Sequence, residues 1–209
     1  MVGPSFPFKG GIAQYTTQLY RELQQRHNVL FCSFNRQYPD WLYPGQGDTD
    51  ETDTALQGPG QHPIIDSLNP LSWRTAARLI VDFKPDMLIF PWWVIFWTPH
   101  FFYMIRAIRR RSKTTRIIFV CHNVVAHEGG WLSKLLTRWT LQLGDAFLVH
   151  SSSEANSLKS LLDNPRYVQA EHPIYTLAQG DVRTRNEARE ALGLVGNTVL
   201  FFGFVRPYK

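Results

Sequence analysis

The chain is 209 residues long, with 22 Lys plus Arg against 17 Asp plus Glu and a formal net charge of +5. Hydrophobic residues make up 44% and charged residues 19%, near the globular averages of roughly 45–50% and 25%, which excludes a disordered or collagen-like chain. The length suits one full domain of roughly 100–200 residues and part of a second, enough to bury a sizeable core.

In chain order, Ile12, Tyr15, Leu19, Tyr20 and Leu23 recur at helical spacing behind Lys9-Gly10-Gly11, and Val29 to Phe34 follows as a short apolar strand. Residues 46–63, rich in Gly, Pro, Asp, Thr and Gln, read as a long exposed loop. Asn69 before Pro70 predicts a helix start, and Pro85 forces that helix to stop. Met87 to Phe90 reads as a strand left by a loop at Pro91, followed by a helix over 98–111 and a strand over 116–121. A helix over 131–143 closed by Gly144 and a strand over 146–150 continue the series. Ser151 and Glu154 have capping-box spacing for a helix ending near Leu162. A polar helix over 184–192, stopped by Gly193, and an apolar strand over 198–205 close the chain.

Such alternation predicts an α/β fold, a Rossmann-like parallel sheet with helices on both faces. The strand over 198–205 has no following partner in the sequence and is expected to belong to a second, truncated domain. At the other end only Met1-Val2 precedes the glycine-containing loop, where a strand is expected, so the first strand reads as missing.

Cys32 and Cys121 each sit in an apolar run as buried thiols, and a reducing, cytoplasmic setting fits them. Aromatic residues are 14% of the chain and crowd between Phe90 and Tyr103. Met87 to Ile105 contains no acid or base, yet Pro91, Pro99 and His100 interrupt it, which argues against a spanning helix. Two readings remain for the segment. One is a core helix with a solvated basic end. The other is an anionic membrane surface met by Trp92, Trp93 and Trp97 with Arg109, Arg110 and Arg111 at the inner face of the cell membrane.

No G-x-G-x-x-G, P-loop or G-x-S-x-G motif occurs. His122, His127 and Glu128 stand in the order H-x-x-x-x-H-E rather than H-E-x-x-H, without a Cys pair, so no metal site is assigned. No nucleic-acid-binding motif accompanies the basic balance. Three features point to a site. Gly10 and Gly11 at a helix N-terminus let backbone N–H groups approach a phosphate or sugar. His122-Asn123 ends a strand at the edge where open α/β sheets place ligands. Arg206 and Lys209 are spaced to grip a diphosphate.

Pro7-Phe-Lys-Gly-Gly-Ile-Ala13, Pro91-Trp-Trp93, Val120-Cys-His-Asn-Val124, Leu148-Val-His-Ser-Ser152, His172-Pro-Ile-Tyr175 and Phe202-Gly-Phe-Val-Arg-Pro-Tyr-Lys209 together resemble the retaining GT-B glycosyltransferases of glycosyltransferase family four. The resemblance implies an acceptor-side Rossmann-like domain over residues 1–175 and the beginning of a nucleotide-sugar-binding domain over 176–209. It implies a metal-independent, nucleotide-sugar-dependent hexosyltransferase without cofactor, acting on a glycan or lipid-linked acceptor, for instance in polysaccharide biosynthesis. By position, His122 would be catalytic, Gly10 and Gly11 would lie against the donor phosphate and sugar, and Arg206 and Lys209 would neutralise the departing diphosphate. The family's paired glutamates would fall beyond Lys209, so the fragment alone is expected to be inactive. The alternative is a non-catalytic α/β module that binds a glycan or membrane through the Trp92, Trp93, Phe96 and Trp97 surface.

Overall fold

A computed structural model describes residues 1–39, 49, 61–125, 130–173, 183–194 and 196–198. They belong to two units, Met1–Tyr175 and Thr176–Lys209. In the first, α1 (Gly11–Gln24) leads to β1 (Phe31–Arg36), β2 (Gln61–Asp66) and α2 (Pro70–Phe83). Then come β3 (Met87–Trp92), a short 3-10 turn (Ile95–Trp97), α3 (Thr98–Arg109), β4 (Arg116–Cys121), α4 (Trp131–Leu141), β5 (Ala146–Val149), α5 (Ser152–Leu161) and β6 (Tyr167–Gln169). In the second unit, α6 (Arg185–Ala191) opens on a reciprocal cap between Thr184 and Glu187, and Gly193 follows it with φ 64°. Of the strand expected over 198–205, all but Thr198 lies outside the described residues.

Every pairing among the six named strands is parallel, in the orders β1-β2 and β3-β4-β5-β6. Met1–Gly3 joins the two sets. The Cys32 N–H donates to the Met1 carbonyl at 2.9 Å, the Gly3 N–H to the Cys32 carbonyl at 3.3 Å, and the Val2 N–H to the Ile89 carbonyl at 3.0 Å. The place where the α/β pattern calls for a strand before α1 is therefore held by these three residues. Gly3 lacks a side chain for a packing reason: a Cβ there would stand 2.9 Å from Pro91 Cγ.

Three local expectations are corrected. Residues 61–66, most of which fell in the predicted loop or beside it, form β2. Pro63 is accepted there because β2 is an edge strand paired only to β1. The rest of that loop, apart from Thr49, lies outside the described residues. Strand β3 does not stop at Phe90 but runs through Pro91 to Trp92. Alternate residues of a strand face alternate neighbours, so the nitrogen of Pro91 shares the side of Ile89, toward Met1–Gly3, where the ladder ends. A third strand residue run, β6, adds an edge that short, half-exposed Tyr167–Gln169 did not announce.

The aromatic run between Phe90 and Tyr103 belongs to the core. Trp97 stacks on Phe34 with ring centroids 4.3 Å apart and touches Phe101 and His100, and Phe90 packs on Phe101 and Phe119. Trp92 and Trp97 are 1% and 0% exposed, and Trp93 is half-buried with its indole N–H donated to the Tyr38 hydroxyl at 3.0 Å. The expected membrane- or glycan-facing surface of Trp92, Trp93 and Trp97 is thus overturned, because apolar area in so dense a cluster gains more from burial than from solvent. Arg109 is likewise engaged inside the fold, donating to Asp145 at 2.5 Å, while Arg110 and Arg111 remain exposed. Both cysteines are buried, free thiols.

Gly144 follows α4 where β5 begins, and a Cβ there would come 2.8 Å from Phe119 Cδ2 and 3.1 Å from the Phe147 ring. Because those rings are stacked on one another, they cannot both yield. Gly144→Ala is expected to cost about 1–3 kcal/mol of unfolding free energy, read as a lower denaturant midpoint with an unchanged slope.

Candidate active site

Parallel pairing brings the carboxyl ends of β3 to β6 to one edge, the ligand-binding edge of open α/β sheets. His122 directly follows β4 and His150 directly follows β5, and His172 stands three residues after β6. Tyr15, on the second turn of α1, is buried at their centre. Its ring centroid lies 4.6 Å from that of His122 and 5.3 Å from those of His150 and His172. The imidazoles are 5.4 Å apart for His122 and His150, 6.1 Å for His122 and His172, and 5.0 Å for His150 and His172.

The backbone at His122 is held from two sides. Its N–H donates to the Trp92 carbonyl at 2.8 Å, and the Trp92 indole N–H donates to the Val124 carbonyl at 3.2 Å. The Val124 N–H donates to the Glu154 carboxylate at 2.5 Å. Sequence spacing predicts a capping box at α5, and half of it forms: the Ser151 hydroxyl accepts from the Glu154 N–H at 3.2 Å. The Glu154 carboxylate instead crosses to the loop after β4. It thereby satisfies a donor that would otherwise be orphaned in a buried turn.

Burial pushes the His122 imidazole down from 6.5 to about 3, with the neighbouring His150 and His172 adding to the effect. At neutral pH it is therefore an uncharged ring. Its Nε2 is buried with no hydrogen-bond partner among the described residues, as is that of His150. His150 is also shifted down, chiefly by burial, although its Nδ1 lies 3.0 Å from the Ala170 carbonyl. Neutral imidazoles with an open ring nitrogen can exchange hydrogen bonds with hydroxyl groups without bringing charge into the site.

Gly10 has φ 107°, a conformation that L side chains rarely adopt. A Cβ on Gly10 or Gly11 would meet nothing within 4 Å, and no side chain caps the N-terminus of α1. Gly11 precedes Tyr15 by about one helical turn, roughly 6 Å along the axis. The electropositive N-terminus of α1 is thus brought to the same edge as His122, a setting for an anionic group. Arg206 and Lys209 lie outside the described residues. Among the described residues, no three His, Cys, Asp or Glu side chains are arranged to hold a metal ion.

The sequence profile described as Glycosyltransferase Family 4 matches residues 9–169, from the residue before the glycine pair to the end of β6. The chain belongs to glycosyltransferase family 4. No curated protein matches it. As a glycosyltransferase domain it works with a sugar donor and an acceptor, and the matched span includes Gly10, Gly11, Tyr15, His122, His150 and Glu154. On sequence grounds alone Tyr15, His150 and His172 are assigned no role in the site, and Glu154 is assigned only to the cap of α5. The same rule that selects His122, a polar residue just past a parallel strand, also selects His150. The contact from Tyr15 and the bond from Glu154 join segments remote in sequence and have no local signature.

Two measurements follow for this glycosyltransferase domain. A base whose folded pKa lies below its unfolded one contributes stability above the unfolded value and loses it as pH falls. Native stability is therefore expected to decline between pH 6.5 and about 3, with the His122 ring resonance in NMR titrating near the lower value. Glu154→Ala, which strands the Val124 N–H, is expected to cost about 1–3 kcal/mol. Glu154→Gln, which keeps an acceptor, should recover most of it in the same denaturation assay.

Proposed function

We infer that the chain is part of a glycosyltransferase that moves a sugar, with retention, from a nucleotide-diphosphate sugar to a glycan or lipid-linked acceptor. The observation that carries this reading is the uncharged, buried His122, whose Nε2 has no partner among the described residues, at the same sheet edge as the N-terminus of α1. In the proposed reaction the bond between the anomeric carbon and the diphosphate oxygen breaks while a bond to the acceptor oxygen forms on the same face. The acceptor proton leaves with the diphosphate. His122 would hold a donor-sugar hydroxyl, and its neutrality suits it to that task. Gly10 and Gly11 would let backbone N–H groups reach the phosphate.

Negative charge grows on the leaving group in the transition state, where preorganised cations are most effective. Arg206 and Lys209 are the residues proposed for that role, on the strength of the motif Gly203-Phe-Val-Arg-Pro-Tyr-Lys209. In this reading residues 176–209 begin the donor-binding half, and the charge compensation is supplied by side chains without a metal.

The test is release of nucleoside diphosphate from a panel of UDP- and GDP-sugars, with membrane extract as acceptor. It is run on the 209-residue chain and on the same chain with its flanking coding sequence. Transfer is expected from the extended protein. There, His122→Ala should lower turnover by about 100-fold or more with an unchanged circular dichroism spectrum. Near-normal turnover in that variant would remove His122 from the reaction.

A further inference from the structure

Helix α4 is built inside out. Its buried residues are Ser133, Thr137, Thr140 and Leu141, whereas Trp131, Leu132 and Trp139 are 76%, 52% and 49% exposed. An ordinary surface helix does the reverse. At 3.6 residues per turn, Lys134, Arg138, Trp131, Leu135, Trp139 and Leu132 follow one another around roughly 160° of the helix. Two cations therefore form one flank and apolar or indole groups the other. Lys134 and Arg138 are exposed, and the one ion-pair partner of Arg138 among the described residues is the fully exposed Asp163, at 3.8 Å.

The surroundings share this sign of charge. Residues 98–144 contain eight Lys and Arg and a single acid, Glu128. Asp145 pairs with Arg109 and Arg116, and the other cations of α3 and its end have no such partner among the described residues. Helix α3 packs on α4, and exposed Arg106, Arg110, Arg111 and Lys113 lie on it or just after it. No helix of the described residues is long and apolar enough to cross a membrane. We propose that α4 lies on an anionic lipid surface, with Trp131, Leu132 and Trp139 entering the headgroup layer and Lys134 and Arg138 pairing with lipid phosphates. Indole rings favour that layer because they have an apolar body and one N–H donor, and adjoining cations add electrostatic attraction. This inference is independent of the sugar-transfer reading and replaces the buried Trp92 and Trp97 as the lipid-facing aromatics.

The experiment is co-sedimentation of the 209-residue chain with vesicles of phosphatidylcholine alone or mixed with phosphatidylglycerol, together with tryptophan emission. Binding to the anionic vesicles, a blue shift on binding and weakening by salt are expected. Trp131→Ala with Trp139→Ala should abolish the blue shift and weaken binding by about tenfold or more, and Lys134→Glu with Arg138→Glu should do the same to binding. Arg26→Glu with Arg74→Glu changes net charge equally at exposed positions just after α1 and on α2 and should bind nearly as the parent does. All these positions are exposed, so folding is not at stake. Three results would overturn the proposal: no binding to anionic vesicles, equal loss in the charge-matched control, or α4 variants that leave binding intact while dissolving a dimer or protein complex.

Discussion

Three residues decide whether this chain has one sheet or two. The carbonyl of Met1 and the N–H of Gly3 bond to Cys32 of β1, while the N–H of Val2 bonds to Ile89 of β3. Without that bridge β1-β2 and β3-β4-β5-β6 would be separate edges, each exposing unpaired backbone groups. With it, the loop of residues 4–10 leaves the sheet at the carboxyl ends of the strands and starts α1 there. Thr17 accepts from the Phe6 N–H at 3.0 Å, and the Thr16 hydroxyl donates to the Pro4 carbonyl, so loop and helix are tied together. Tyr15 can then occupy the space between His122, His150 and His172.

At the site, desolvation is the largest influence on His122 and His150. Edge and tilted ring contacts and burial shield His122, and its two histidine neighbours make a positive charge there costlier still. A neutral ring near a helix N-terminus is suited to a polar, uncharged ligand part adjoining an anionic one, as in a sugar joined to phosphate. The position of the ring depends on Glu154, whose carboxylate takes a backbone donor in the loop rather than completing its own helix cap. One acidic residue thus links the start of α5 to the turn after β4.

The distribution of tryptophans follows a similar contest. Those near β3 pack among Phe34, Phe90, Phe101 and Phe119 and gain most by burial. Those of α4 lie outside the core, because the inward face of that helix is taken by Ser133, Thr137, Thr140 and Leu141. Ser133 and Thr137 even keep buried hydroxyls without a partner among the described residues. Tryptophan count alone therefore indicates an aromatic surface but assigns it to the wrong segment.

Local chemistry in the sequence determined much of this protein. Helical periodicity, the Asn69-Pro70 start, the Ser151 cap and the apolar runs at β1, β3, β4 and β5 are all properties of neighbouring residues. They were legible for that reason, and with them the α/β class and the position of His122 at a strand end. Tertiary structure decided what depends on pairing at a distance. Strands β2 and β6 are short, polar or proline-containing and exist because a parallel neighbour supplies their hydrogen bonds. Pro91 fits within a strand because the ladder on its nitrogen side has ended. Likewise, the grouping of Tyr15 with three histidines, the neutrality of His122 and the outward face of α4 arise from burial, which is a property of the assembled fold and not of any local stretch of chain.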